Sequence, residues 1–156
     1  MLVKDVPAAS PRSGNATGNV LQPLVTDLIA LSLSAKHVHW NVVGARFLPI
    51  HEHLDALDAD LRSWTDTLAE RIRALGVAAE GQAASVAQAT AIDSLTGGTL
   101  GDVQAIDHIT HQLDGLAQRF RAAVPALEQD LASQDFVIGV LQGLEKQLWM
   151  FRALGA

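Results

Sequence analysis

Cysteine is absent from the 156-residue chain. That absence removes disulfide scaffolding, thiolate zinc sites and thiol nucleophiles together, so any bound metal must be held by nitrogen and oxygen. Long apolar runs are missing too: none reaches the roughly 18 residues that would suggest a membrane span. The opening segment MLVKDVPAASPRSGNATG has no apolar centre of the secretory kind and reads as a flexible polar tail over residues 1–18, which leads to the expectation of a cytoplasmic protein. Neither end carries a lysine-rich extension. The tail offers Lys4 and Arg12 against Asp5, the chain ends FRALGA, and the formal net charge is −6, a balance that disfavours nucleic-acid binding and attracts cations.

What the chain does have is apolar residues spaced three and four apart, with few β-branched runs, over residues 19–156. This pattern predicts an all-α domain. A first helix is expected from about Asn19 to Val43, with Pro23 in its first turn and Gly44 as its stop. A second runs from Phe47 or Pro49 to Leu75, with Leu54, Leu57, Leu61, Trp64, Leu68, Ile72 and Leu75 as its buried stripe. Residues 81–101 are rich in Ala, Gln, Thr and Gly and read as a long crossover with one short helix near Ala83–Thr90. A third helix is expected over Asp102–Val124. The fourth, over Ser133–Leu154, is expected to bury Phe136, Val140, Leu144, Leu148 and Phe151. Four long helices with a long middle connection predict a four-helix bundle with a crossover.

Four of the six histidines fall within KHVHWNVVGARFLPIHEHLD, residues 36–55. On the second helix His51 and Asp55 are four apart, as are Asp66 and Glu70, so each pair occupies adjacent turns of one face. At ~100° per residue, Asp55, Asp66 and Glu70 lie roughly 40°, 60° and 100° around from His51, on the face opposite the leucines. Such a face is ordinarily solvated surface, and Arg62 and Arg73 are available to neutralise its acids. The combination of imidazole and carboxylate instead suits a borderline divalent metal such as ferrous iron. His51 and Glu70 are separated by roughly 28 Å along the helix axis, so one straight helix cannot bring them to one ion. Two copies crossing antiparallel near Asp60 and Leu61, with Ala59 close by, would set the 51/55 pair of one chain against the 66/70 pair of the other, making two identical sites. His39 lies within reach as a further ligand. His37, His53, His108 and His111 have no convergent carboxylates and read as polar surface or supporting residues, and Trp40 and Trp64 read equally as packing or oxidisable side chains.

The runs HWNVVGARFLPIHEHLD and DTLAERIRALG, together with DLASQDFVIGVLQGLEKQLWMFRAL, resemble the Dps family, the ferritin-like DNA-binding proteins from starved cells, over about Val20–Leu154. The resemblance implies a ferritin-like four-helix bundle and a ferroxidase. Its site would be a dinuclear iron centre shared across a two-fold interface, with His39, His51 and Asp55 from one chain and Asp66 and Glu70 from its mate. It also implies a homo-dodecameric shell in which Fe(II) is oxidised to Fe(III), preferably by hydrogen peroxide, and stored as mineral against oxidative stress. No organic cofactor is implied. Glu52 matches a position where mineral nucleates, and Glu128, Asp130 and Asp135 resemble acids lining three-fold pores. The family's naming property, nucleoid DNA condensation, is the alternative function; the missing basic terminus predicts weak or absent DNA binding. A conventional ferritin centre inside each bundle expects an ExxH spacing, and the sequence has none.

Overall fold

The computed structural model describes residues 11–156. Its elements are α1 (Pro11–Asn41), β1 (Val42–Val43), α2 (Phe47–Ala74), α3 (Ala83–Ala89), β2 (Leu100–Gly101), α4 (Asp102–Ala123), a single 3-10 turn (Pro125–Leu127) and α5 (Leu131–Gly155). Helix α1 packs along α2 and α4 along α5, and the two pairs close into a four-helix bundle. The short α3 sits in the crossover that carries the chain from α2 to α4. Strands β1 and β2 pair in parallel, Val42 with Leu100 and Val43 with Gly101, which ties the end of α1 to the start of α4. Among the described residues no helix is long and apolar enough to cross a membrane.

Helix α2 is organised as its periodicity predicts. Leu54, Leu57, Leu61, Leu68 and Ile72 are all fully buried, joined by Ile50, while Trp64 and Leu75 are half-buried at the margin. Trp64 lies in a notch that α5 provides at Gly143, where an added Cβ would come within 2.3 Å of the indole. The α2–α5 contact therefore depends on a missing side chain.

Four expectations are corrected. Helix α1 already includes Pro11, upstream of the expected start at Asn19, and residues 1–10 of the expected tail lie outside the described residues. Pro23 is not in a first turn but inside the helix. It cannot donate to the carbonyl one turn back, and the helix continues because Leu21, Leu24, Val25 and Leu28 are buried on both sides of it. On α5, Phe136 is 41% exposed and the buried position is its neighbour Val137. Gly44 also differs in role: α1 stops at Asn41, whose Nδ2 donates to the His37 carbonyl at 2.8 Å, and Gly44 turns the chain with φ +127° close against Asp102.

The crossover is held by a buried carboxylate. Asp27 on α1 accepts from Thr90 Oγ1, the Ala91 amide and Arg119 Nε, each at 2.8 Å. One acid thus joins α1, the connector and α4.

Candidate metal centre

The α1–α2 corner delivers the candidate ligands. Arg46 fixes that corner: its amide and Nε donate to Asp102 Oδ2 at 3.1 and 3.2 Å, and Nη1 donates to the Leu154 carbonyl at 3.0 Å. The Arg46 amide and guanidinium hold the Asp102 carboxyl below the usual carboxylate range. With the corner closed, the last turn of α1 and the first turns of α2 lie side by side, and His39 meets His51.

The two imidazoles are stacked, with ring centroids 3.7 Å apart and planes 18° from parallel. His39 Nδ1 lies 2.8 Å from the His51 carbonyl oxygen, and His51 Nδ1 lies 2.9 Å from the His39 carbonyl oxygen. A carbonyl only accepts, so both Nδ1 atoms carry the proton. In the neutral ring this tautomer makes Nε2 the lone-pair nitrogen, the arrangement that a backbone carbonyl imposes on a metal-ligating histidine. Phe47 packs on the outer face of His51 at 5.0 Å between centroids. His39 is buried and His51 half-buried.

Asp55 lies beside the pair, its Oδ1 3.4 Å from His39 Nδ1. The same oxygen accepts from Lys36 Nζ at 2.7 Å. The hydrogen bond from the Lys36 ammonium holds the Asp55 carboxyl below its ordinary range, outweighing the desolvation that opposes it. Lys36 was not foreseen as part of the site, although its place three residues before His39 puts it on the same helix face.

Asp66 and Glu70 lie exposed farther along α2. Their expected neutralisation by Arg62 and Arg73 does not occur: Arg62 Nε donates to Asp58 Oδ2 at 2.9 Å, and Arg73 Nη1 donates to the Val77 carbonyl at 2.9 Å. Among the described residues neither acid accepts a side-chain hydrogen bond or forms an ion pair. Asp66 borders a groove between α1 and α2 lined by Ile29, Leu33 and Ala69. Among the described residues of one chain, no three His, Asp or Glu side chains converge as a complete metal site.

The other candidate residues are placed as follows. His37 does not join the pair, and its Nε2 is buried without a hydrogen-bond partner. His53 packs edge-on against Phe151 at 4.7 Å. Glu52 is exposed beside a groove between the start of α2 and the end of α5. Trp40 is 70% exposed with Lys36 Nζ 5.8 Å from its ring centre, while Trp64 is a packing residue. Glu128 and Asp135 are exposed near the start of α5. Asp130 caps that helix: it accepts from the Ser133 amide and hydroxyl, and from Arg71 Nη2 at 2.8 and 3.0 Å. Desolvation raises its pKa, and the Ser133 bonds with Arg71 together outweigh it, leaving the carboxyl below its usual range.

The family model for the ferritin-like domain matches residues 19–155. A DNA protection during starvation protein from Mycolicibacterium smegmatis is 32% identical over 95% of this chain and 81% of its own length. The chain belongs to the Dps family of ferritin-like proteins. DNA protection during starvation protein 2 of Deinococcus radiodurans is 31% identical over 95% of this chain, which spans 62% of that relative's length. Among solved structures, Dps from Microbacterium arborescens in the high iron form superposes with a TM-score of 0.90 at 33% identity, covering 95% of this chain and 97% of that one. Family membership at this level supports iron storage and oxidoreductase chemistry and leaves the ligand set to be argued from the geometry above.

Proposed function

We propose that this Dps protein is a ferroxidase that oxidises Fe(II) with hydrogen peroxide at sites shared between two chains. The observation that carries the reading is the reciprocal pair of Nδ1–carbonyl bonds, which leaves Nε2 of His39 and of His51 as the nitrogens that can bind a metal, with the Asp55 carboxylate 3.4 Å from His39 Nδ1. Neutral imidazoles suit ferrous iron, and carboxylates stabilise the ferric product. Asp66 and Glu70 of the partner subunit supply the oxygen-rich other half, giving two iron positions per site and two sites per dimer. The exposed and unpaired state of these acids within one chain supports that division.

The chemistry balances without an organic cofactor. Two ferrous ions each give one electron to one peroxide, the O–O bond breaks, two protons are taken up, and two waters form. No hydroxyl radical is released, so the protein detoxifies as it stores. In this reading twelve chains form a shell around the ferric mineral, Glu52 contacts the mineral, and Glu128 and Asp135 line pores with Asp130 organising the helix start beside them. The protein would work in the cytoplasm, with weak or absent DNA binding.

A ferritin centre within the bundle is disfavoured by the interior itself. Among the described residues the only buried carboxylate is Asp27, which already serves Thr90, Ala91 and Arg119. Anaerobic iron titration followed by peroxide addition tests the proposal: wild type should oxidise rapidly, and His51→Ala with Asp55→Ala should abolish the fast phase. Unchanged oxidation in that double variant would refute the site.

A further inference from the structure

Helix α2 starts without a side-chain cap of its own, because Arg46, the residue before Phe47, has no acceptor to offer the first amides. The acceptor comes from another helix. Asp102, the first residue of α4, takes the Arg46 amide and Nε on Oδ2 at 3.1 and 3.2 Å, and the Val103 amide on Oδ1 at 2.8 Å. One carboxylate therefore lies at the N-terminal ends of both α2 and α4, where unpaired amides favour a negative charge. Gly44 makes room for it, since a Cβ there would lie 2.8 Å from Asp102 Cγ. Arg46 carries the tie onward: Nη1 donates to the Leu154 carbonyl near the end of α5 at 3.0 Å. The β1–β2 pair holds the α1 side of the corner, and this clamp holds the α2 side.

We propose that Asp102 and Arg46 are positioning residues for the iron centre, acting through the placement of α2 against the end of α1. The inference rests on the reading of His39 and His51 as iron ligands. Neither clamp residue is hydrogen-bonded to His39, His51 or Asp55, so the effect passes through the backbone. Each imidazole donates Nδ1 to the main-chain carbonyl of the other residue, at 2.8 and 2.9 Å, and the tautomer of each ring is thus set by where the opposite helix lies. His39 is in the last turn of α1, where main-chain carbonyls lack a partner within the helix, so its carbonyl is free to take the His51 proton. A displacement of α2 by about 1 Å breaks both bonds, because hydrogen bonds fade beyond about 3.2 Å. The released rings are then free to carry the proton on Nε2, which removes the lone pair that a metal needs.

The test reads the rings without iron. Nuclear magnetic resonance of the ring nitrogens in the full chain, labelled with ¹⁵N-histidine and held in alkaline buffer, separates the two tautomers, and His39→Gln and His51→Gln assign the signals. Wild type should show both rings protonated at Nδ1. Arg46→Ala and Asp102→Ala should each bring out the Nε2-protonated form at both positions, while circular dichroism shows the helices intact. Asp102→Asn, which keeps one acceptor oxygen, should retain more of the Nδ1 form than Asp102→Ala. Anaerobic titration of the two alanine variants should show ferrous affinity about tenfold weaker, as expected when a residue that orients ligands is lost. A purely structural role would lower the melting temperature and leave tautomer and affinity unchanged in the folded protein. Rings that keep the Nδ1 proton in both alanine variants, or ferrous affinity that stays at the wild-type level in both, would overturn the proposal. Failure of the ferroxidase reading is a separate result, because the ring signals are recorded with no iron present.

Discussion

Replacing Gly143 by alanine sets two effects of opposite sign against each other. Alanine in a helix interior is favoured over glycine by about 1 kcal/mol. Against this, the new Cβ would lie 2.3, 2.9 and 3.0 Å from Cζ2, Cη2 and Cε2 of Trp64. These are atoms of one rigid indole held between α2 and α5, so the contact cannot be relieved by moving the tip of a flexible chain. Overpacking of this kind costs about 1–3 kcal/mol, and its upper part applies here. The net expectation is a destabilisation of about 1–2 kcal/mol, equivalent to a melting temperature lower by about 2–8 °C for a chain of this size. Gly139, one turn earlier on α5, is the control, because a Cβ there meets nothing within 4 Å. Gly139→Ala should leave the melting point unchanged or raise it. Thermal melts at fixed protomer concentration read both effects. A Gly143→Ala protein that melts at or above wild type would refute the view that Trp64 keys α2 against α5.

Three further outcomes are expected. Lys36→Met removes the cation that shares Asp55 Oδ1 with an incoming metal, so anaerobic titration should show ferrous binding tightened about two- to fivefold, and weaker binding would contradict the competition. Asp130→Ala should lower stability at pH 7 by about 1–3 kcal/mol through loss of the α5 cap and of the Arg71 pair. Because the folded-state pKa of Asp130 is depressed, its contribution is present above the unfolded value of about 3.9 and is lost as pH falls through the folded value, so wild type and variant should converge in acid; a gap that persists there counts against the mechanism. Gel-shift assays near neutral pH at physiological salt should show no retained DNA, given a net charge of −6, and a persistent shift would refute that expectation.

The parts of the fold that were legible in the sequence are those where local pattern and packing agree. Helix α2 has one apolar stripe and one charged face, so its buried leucines could be named from spacing alone. The short α3 is bounded by Gly81 and by the Thr90–Gly101 break, and it falls where those signals put it. Helix α5 is apolar around much of its circumference, with Val137, Ile138, Val140 and Leu141 in close succession, so periodicity could not decide between Phe136 and Val137. The interior place of Pro23 was illegible because burial of the surrounding leucines outweighs the local signal.

The candidate centre divides in the same way. Spacing alone paired His51 with Asp55 and Asp66 with Glu70, and helix length alone excluded closing both pairs on one ion. The stacking of His39 on His51 and the exchange of Nδ1–carbonyl bonds depend on how the 42–46 corner folds, which the Arg46–Asp102 contacts decide over a long sequence separation. Lys36 was within reach of an i, i+3 argument from His39. Asp130 was read by family resemblance as a pore acid, and the bonds to Arg71 and Ser133 show a capping role that an Asp three residues before Ser133 already signals.

Complementation between two inactive variants tests the shared-site claim most directly. One protein carries His51→Ala and Asp55→Ala, the other Asp66→Asn and Glu70→Gln, and the two are unfolded together and reassembled in equal amounts. A mixed dimer holds one site with both altered halves and one site with neither. Half of the dimers are mixed on random pairing, so peroxide-driven iron oxidation should return to about a quarter of wild type. A mixture that stays as inactive as its parents, while mixed dimers are shown to form, would contradict a centre built from two chains.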